Sequence, residues 1–256
     1  MAYLRFCWDN LYAASATVLT PTSVSTTLPA LASANPDRNY VFRSATIAVA
    51  VAIDIDLGSV KAVTSVAVAN LLLFSGGGAF ELHERGDGGS PGAETLVATI
   101  AAADYDSTRK TAFKFFASQS HRHWRIKWTN PGAVSAYVEV GFVFLGTYFE
   151  PAKPPMPPTS RIVNPSPVSL APDGGRAVVT RTMYDEVRIH YPVLSTADRS
   201  TFESMYRTNG AGVPVFAVLD TTLSWTCWMA FFANDAARVF LRGRQYEFGV
   251  TLEEAR

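Results

Sequence analysis

The stretch AIDIDLGSVKAV, residues 52–63, joins alternating apolar residues to an Asp-Leu-Gly sequence. Alternation with period two and β-branched residues is typical of a strand. An Asp followed by Gly and a hydroxyl can also meet the phosphates of a nucleotide at the end of a strand. The alternative is structural: Asp56 ends one buried strand and Gly58 adopts a left-handed backbone before the next.

The rest of the chain favours the structural turn. A nucleotide site of this kind also needs a second acidic loop and a Gly-rich loop for the adenosine. The one other Gly cluster, FSGGGAF at 74–80, is not followed by Lys-Ser or Lys-Thr and so does not match a Walker loop. The sequence therefore predicts no nucleotide and no other cofactor.

The charge balance narrows the class of partner. The 256 residues carry 22 Lys and Arg against 22 Asp and Glu, a net charge of zero. Binding to a phosphate backbone relies on clustered cations, so no nucleic-acid partner is predicted. The most apolar region, 45–74, contains charged residues and a glycine, which predicts buried strands and no membrane span. The N-terminus lacks the pattern of a signal peptide.

The chain divides at the proline-rich segment FEPAKPPMPPTSR, residues 149–161. Before it, short apolar runs separated by Gly, Asn and Pro indicate an antiparallel β-sandwich, a jelly roll. After it, STADRSTFESMYRTNG at 195–210 predicts a helix among several strands. We therefore predict a mainly β chain: a sandwich over 1–149, a semi-rigid linker over 150–160 and a smaller α+β domain with one helix over 161–256.

The sequence contains few candidate metal-binding or catalytic residues. On a strand, His121 and His123 share a face and could hold a metal, but Arg125 and Lys127 lie on the same face and favour solvent or an interface. Acidic pairs such as Asp104 and Asp106 could serve a glycosidase or bind calcium, but no acid is marked as buried. No nucleophile elbow is present. The sequence predicts neither a metal site nor an enzyme.

The two cysteines, Cys7 and Cys227, match no metal-binding spacing. Two free buried thiols or a single long-range disulfide both remain open at this point.

The segment WTCWMAFF, residues 225–232, has apolar side chains on both faces of a strand. One face would line a core, and the other would meet the helix or a neighbouring subunit. Trp225, Trp228 and Phe232 are therefore the candidate interface residues. Closed rotational symmetry would satisfy such a face, which predicts a homo-oligomer.

Several segments together resemble a known family. They are WDN at 8–10, IDIDLG at 53–58, HRHWRIKWTN at 121–130 and YVEVGFVFLGTYFEP at 137–151. Their order is similar to the discoidin-like, galactose-binding-type jelly roll in tail-tip and baseplate proteins of long-tailed bacteriophages. Phe142 stands where the family pattern has Arg. In this resemblance Asp56 and Gly58 belong to a strand-and-turn signature of the sandwich.

The resemblance implies a non-enzymatic virion structural protein of the phage tail tip or baseplate. Its partners would be other tail and baseplate proteins and copies of itself, as a ring or trimer about the tail axis. It would be assembled in the host cytoplasm and located in the tail. The alternative is a carbohydrate-binding module with a glycan partner that contributes to host-surface attachment. A glycan binder should cluster aromatic and polar residues, whereas a scaffold should expose apolar patches.

Overall fold

The computed structural model describes residues 4–37, 40–45, 51–71, 78–87, 90–129, 137–170, 176–223, 226–233, 237–240 and 246–255. Within 168–170, 176–178 and 237–240 it describes the backbone alone. This part of the chain is mainly antiparallel β structure with a single α-helix, which confirms the predicted fold class. None of its helices has the length and apolarity that a membrane crossing requires.

Contacts between Cα atoms separate two compact units. The first contains Met1–Glu150 and Val215–Met229, and the second contains Pro151–Pro214 and Ala230–Arg256. The second unit differs from the predicted 161–256 domain in two places. It also includes 151–160, and it lacks 215–229, in which Val215–Val218 pairs with Arg5–Cys7 of the first unit. The division of the chain into the three predicted ranges, each as a separate domain or linker, stays a prediction.

The first unit holds eleven complete strands in the described ranges. They are β1 Arg5–Cys7, β2 Val18–Pro21, β3 Phe42–Arg43, β4 Val51–Ala69, β5 Ala79–Glu84, β6 Thr95–Ile100, β7 Thr111–Thr129, β8 Glu139–Val140, β9 Phe142–Gly146, β10 Tyr148–Phe149 and β15 Val215–Val218. Short 3-10 helices lie at Leu11–Ala13, Ala30–Ala34 and Ala102–Asp104.

The largest sheet of the first unit is built around β4 and β7. β4 pairs with β7 along its length, while β2 and β9 share its other edge. β5 and β6 continue the sheet beyond β7. Alternate residues of β7 enter the core, and Trp124, Ile126 and Trp128 are each at most 2% exposed. Separate pairings join β3 to β8 and β1 to both β10 and β15.

Two long strands replace four shorter predicted ones. The sequence suggests a strand on each side of Gly58, and likewise separate strands in TAFKFFAS and HRHWRIKW. In the structure 51–69 is one strand and 111–129 is one strand. The turn predicted at Gly58 is a bulge instead. Asp56 faces His123 and Lys61 faces His121, so residues 57–60 lie opposite Arg122 alone.

The second unit contains a sheet with one helix. Its elements are β11 Thr159–Val163, β12 Val168–Leu170, β13 Arg176–Val178, β14 Tyr184–Leu194, α1 Thr196–Asn209, β17 Ala237–Phe240 and β18 Tyr246–Glu254. β16, Cys227–Phe232, begins in the first unit and ends in the second. β14 pairs with β11 and β18, and β18 pairs with the end of β16 and with β17. β12 and β13 form a separate hairpin.

The helix follows its sequence signals closely. Ser195 caps it, since its side chain accepts a hydrogen bond from the Asp198 amide at 3.0 Å. Phe202 and Met205, three residues apart and so on one face of the helix, are buried. Gly210 ends the helix with a φ of 52°, in the left-handed region that favours glycine.

The proline-rich segment belongs to the second unit. Pro151 is buried, and the Met156 amide donates to the His190 carbonyl at 2.8 Å. Thr159 and Ser160, which were predicted as linker, already pair in β11. The prolines hold the backbone extended, and the contacts with β14 fix it in place.

Candidate functional site

The histidine strand carries no metal cluster in the described ranges. His121 Nδ1 lies 3.0 Å from the Asp87 carboxylate and 3.8 Å from Glu84. His123 is buried and its Nδ1 lies 3.9 Å from Asp56. The prediction that all of this strand face is open to solvent or an interface is therefore wrong at His123. The acidic side chains beside the histidines come from other segments: Asp56 from β4, Glu84 from β5 and Asp87 from just after β5.

The outer face of the β4–β7 sheet is a network of opposite charges. Asp54 accepts two hydrogen bonds from Arg125 at 2.7 Å and one from Arg85 at 2.7 Å. Glu94 pairs with Arg125 and with Lys127. Burial alone would raise the pKa of Asp54, but the two arginines outweigh it and hold that pKa below its usual value. These carboxylates are thus held ionised.

Several carboxyl pKa values in the described residues are shifted downward. Wherever a carboxyl pKa is shifted in the described residues, it is lowered. A glycosidase acid needs the opposite, a raised pKa that keeps its proton near neutral pH. The arrangement of these carboxylates suits structural ion pairs better than acid catalysis.

Asp56 stabilises the bulge in β4. Arg122 donates to its two oxygens at 2.7 and 2.8 Å, and the Gly58 amide donates to it at 2.8 Å. Gly58 has the predicted left-handed backbone, with φ 75°. The Arg122 guanidinium lowers the pKa of Asp56 from 3.8 to about 2. Asp56 and Gly58 therefore stabilise the sheet.

This pKa predicts a defined acid dependence. Because the folded pKa is below the unfolded one, the stabilisation by Asp56 is complete above about pH 4 and lost as pH falls through about 2. Asp56→Asn should reduce the fall in unfolding free energy across that window, measured as urea midpoints at several pH values. Arg122→Gln removes the largest cause of the lowered pKa and should flatten the profile in part, because the Gly58 amide still donates to Asp56. An unchanged acid slope in both variants would contradict this role.

A groove of about 210 Å³ lies beside the charge network. Asp54, Asp56 and His123 line it together with Thr20. Arg125 and Arg122 already occupy most acceptor positions of the two carboxylates. The groove therefore offers few groups for a ligand.

A larger cleft, of about 440 Å³, lies in the first unit and is called the Arg5 cleft below. Its lining comes from β1, β7, the 3-10 helix at Ala102–Asp104 and the loop after β15. The side chains that matter here are Arg5, Asp104, Lys114, Phe115, Thr221 and Thr222. In the described strands, residues 113–115 pair with β4 on one side only, because β5 pairs with β7 from Trp124 onward. This open edge of β7 leaves room for the cleft.

Arg5 is fixed by two rings and one carboxylate. Its guanidinium carbon lies 4.6 Å from the Phe115 ring centroid and 4.2 Å from that of Tyr148. Its Nε donates to Glu150 at 2.6 Å. The terminal nitrogens Nη1 and Nη2 have no hydrogen-bond partner in the described part of the protein, and the side chain is 22% exposed. The cleft thus contains an oriented arginine with a free donor edge.

The opposite part of the cleft combines an ion pair with hydroxyl groups. Lys114 Nζ donates to Asp104 at 2.7 Å, and the second Asp104 oxygen accepts from the Ala101 amide at 2.8 Å. Thr222 donates its amide and hydroxyl to Asp220 at 2.8 and 2.6 Å. The loop is therefore held by its own hydrogen bonds, with Thr221 beside it in the lining.

The predicted interface residues lie elsewhere. Trp225 is outside the described residues. Trp228 is 4% exposed with the Arg109 guanidinium 4.2 Å from its ring, and Phe232 is 3% exposed against the Tyr206 ring of α1. Both described aromatics are covered by their own chain, so they form no exposed patch. Their role in subunit contacts stays an untested prediction.

The cysteine alternatives are resolved in favour of free thiols. Cys7 and Cys227 are both buried and unbridged. Burial raises the pKa of Cys7 to about 12 and also raises that of Cys227. Both thiols are therefore protonated at neutral pH and poorly suited to nucleophilic chemistry.

Comparisons with known proteins give a fold likeness. No protein-family model matches the chain, and no curated sequence does. Among solved structures, a chitosan-binding module from a Paenibacillus chitosanase/glucanase is similar at 17% identity and TM-score 0.44, over 54% of this chain and 99% of that one. The family 32 carbohydrate-binding module of Clostridium perfringens NanJ, in complex with galactose, is similar at 17% identity and TM-score 0.42, over 55% and 98%. Those ligands belong to those proteins.

Proposed function

We propose that this chain binds carbohydrate and that the Arg5 cleft is its binding site. The observation that carries the proposal is the lining of the cleft: aromatic rings, fixed opposite charges and hydroxyl groups meet in one cavity of about 440 Å³. That volume lies in the range of roughly 300–1,000 Å³ common for small-molecule sites.

The chemistry of the lining suits a saccharide. A pyranose presents hydroxyl groups at its edge and C–H groups on its faces. Charged donors and acceptors such as Lys114 and Asp104 form strong hydrogen bonds to hydroxyls. Phe115, which is partly exposed, offers an apolar surface for a C–H face. Because the polar groups are already oriented by bonds within the protein, little side-chain entropy is lost on binding.

Binding without catalysis is part of the proposal. The lowered carboxyl pKa values support it, since a general acid near neutral pH needs a raised one. The phage-tail assignment, with its ring or trimer and its location in the virion, stays a prediction from the sequence. The exposed aromatic strand face from which the homo-oligomer was predicted is not found at Trp228 or Phe232.

A saccharide panel with matched lysine variants tests the proposal. We expect wild-type protein to bind at least one immobilised oligosaccharide from a set of neutral, amino and acidic sugars. Lys114→Ala should weaken that binding about tenfold, because it removes one charged hydrogen bond. Lys61→Ala, at an exposed position of β4 outside the cleft, should leave it unchanged. Binding to no member, or equal losses in both variants, would refute the proposal.

A further inference from the structure

The hydrogen-bonding groups of the Arg5 cleft are unequally divided between donors and acceptors. Arg5 has five N–H groups and uses Nε for Glu150, which leaves the Nη1 and Nη2 groups. Lys114 has three donors, and among the described residues it makes one hydrogen bond, to Asp104. Asp104 already accepts from Lys114 and from the Ala101 amide. The unused capacity is therefore mostly that of donors.

We infer that the ligand of this cleft is an acidic saccharide, whose ring carboxylate is held by the terminal nitrogens of Arg5. This rests on the proposed function and names its substrate class. A sugar hydroxyl both donates and accepts, whereas a carboxylate only accepts, so it matches the surplus of donors better. The planar fork of a guanidinium fits a carboxylate through two parallel hydrogen bonds.

The surroundings of Arg5 prepare it for this contact. The Phe115 and Tyr148 rings lie within 4.6 Å of its guanidinium carbon, and Glu150 fixes its Nε edge. The guanidinium plane is thereby set before a ligand arrives. Lysine could not replace it, because an ammonium has no fork and stacks less well on aromatic rings.

The net charge of the Arg5 cleft does not explain the proposed preference for an acidic sugar. Glu150 offsets Arg5, and Asp104 offsets Lys114, so the cleft is close to neutral. Recognition comes from short-range, directed hydrogen bonds, and simple anions without a sugar ring should compete poorly. Uronic acids and sialic acids share the required chemistry, a carboxylate on a pyranose ring.

The test uses ligands that differ in the carboxylate alone. Calorimetry with trigalacturonate and with its fully methyl-esterified form should show about tenfold or more tighter binding of the acid by wild-type protein. Sialyllactose against its methyl ester gives the same comparison for the other source. Arg5→Gln should remove the preference for the acid while keeping the affinity for the ester. Arg188→Gln, which breaks a different Arg–Glu pair, should change neither.

The possible results distinguish the claim that the ligand is acidic from the claim that the cleft binds carbohydrate. Equal wild-type affinity for acid and ester, or competition by millimolar acetate or phosphate as strong as by the acidic sugar, overturns the inference and leaves carbohydrate binding standing. Failure to bind every saccharide overturns both. The acid and ester comparison needs no variant, so it holds even if Arg5→Gln destabilises the protein.

Discussion

Trp124→Ala should lower the free energy of unfolding by about 3–5 kcal/mol, the range for removing a large aromatic side chain from a core. Trp124 is fully buried in the central cluster of the first unit, and its Nε1 donates to the His121 carbonyl at 3.1 Å. The variant therefore leaves a cavity and also loses this hydrogen bond. Urea denaturation followed by circular dichroism measures the loss. A cost below about 1 kcal/mol would contradict this account of the core.

Phenylalanine variants separate packing from hydrogen bonding. Trp128 packs against Phe42 and Phe80, and its Nε1 is buried with no partner in the part of the chain described. Trp128→Phe removes an unsatisfied donor, whereas Trp124→Phe breaks a hydrogen bond. Trp124→Phe should therefore cost about 1 kcal/mol more than Trp128→Phe. The reverse order would mean that the Nε1 contact of Trp124 contributes nothing.

Gly146→Ala is expected to destabilise the first unit by about 1–3 kcal/mol. A Cβ at this position would collide with the Asp9 carbonyl oxygen and lie 3.0 Å from the Phe144 ring. Asn10 holds this approach, because its side chain accepts from the Leu145 amide at 3.1 Å and donates to the Val143 carbonyl at 2.9 Å. The backbone around Asp9 therefore cannot move away without losing these bonds.

Gly212→Ala is the matched control. An added Cβ there meets no atom within 4 Å. The change should be neutral or slightly stabilising, since alanine reduces the entropy of the unfolded chain. Thermal melts of the two variants give the comparison. Equal melting temperatures would show that the contact between Gly146 and Asp9 is not tight in solution.

The fold was accessible from the sequence where the signals are local. Alternation puts Trp124, Ile126 and Trp128 on the strand face opposite the histidines, and that face is buried. The predicted helix segment, 195–210, begins at the Ser195 cap and ends at Gly210. The sequence does not decide whether the chain on the two sides of Gly58 forms one strand or two. A positive φ suits either a tight turn or a bulge, and the pairing of β4 with β7 on both sides decides for the bulge.

The candidate site could not be found from spacing. Arg5, Asp104 with Lys114, and Thr221 come from three distant segments that only the tertiary fold brings together. Arg5 shows no motif, and its orientation depends on Tyr148 in a different strand. The one weak signal is the aromatic alternation in TAFKFFAS, which includes Phe115.

Trp228 shows what a strand pattern leaves undetermined. Alternation in WTCWMAFF correctly indicates apolar residues on both strand faces, but it cannot say what covers them. Arg109 lies over the Trp228 ring, and Tyr206 packs against Phe232. Both partners are distant in sequence from the strand, so the pattern alone left the helix and a neighbouring subunit as alternatives, and the helix covers Phe232.

The most direct test of the central claim is a nuclear magnetic resonance titration of isotope-labelled protein with trigalacturonate. The account predicts saturable shifts of the backbone amides that line the Arg5 cleft, above all those of Lys114, Phe115, Thr221 and Thr222. Amides beside the smaller groove at Asp56 and His123 should stay unchanged. Saturable shifts confined to that groove, or shifts spread over the surface without saturation, would contradict the assignment of the Arg5 cleft as the saccharide site.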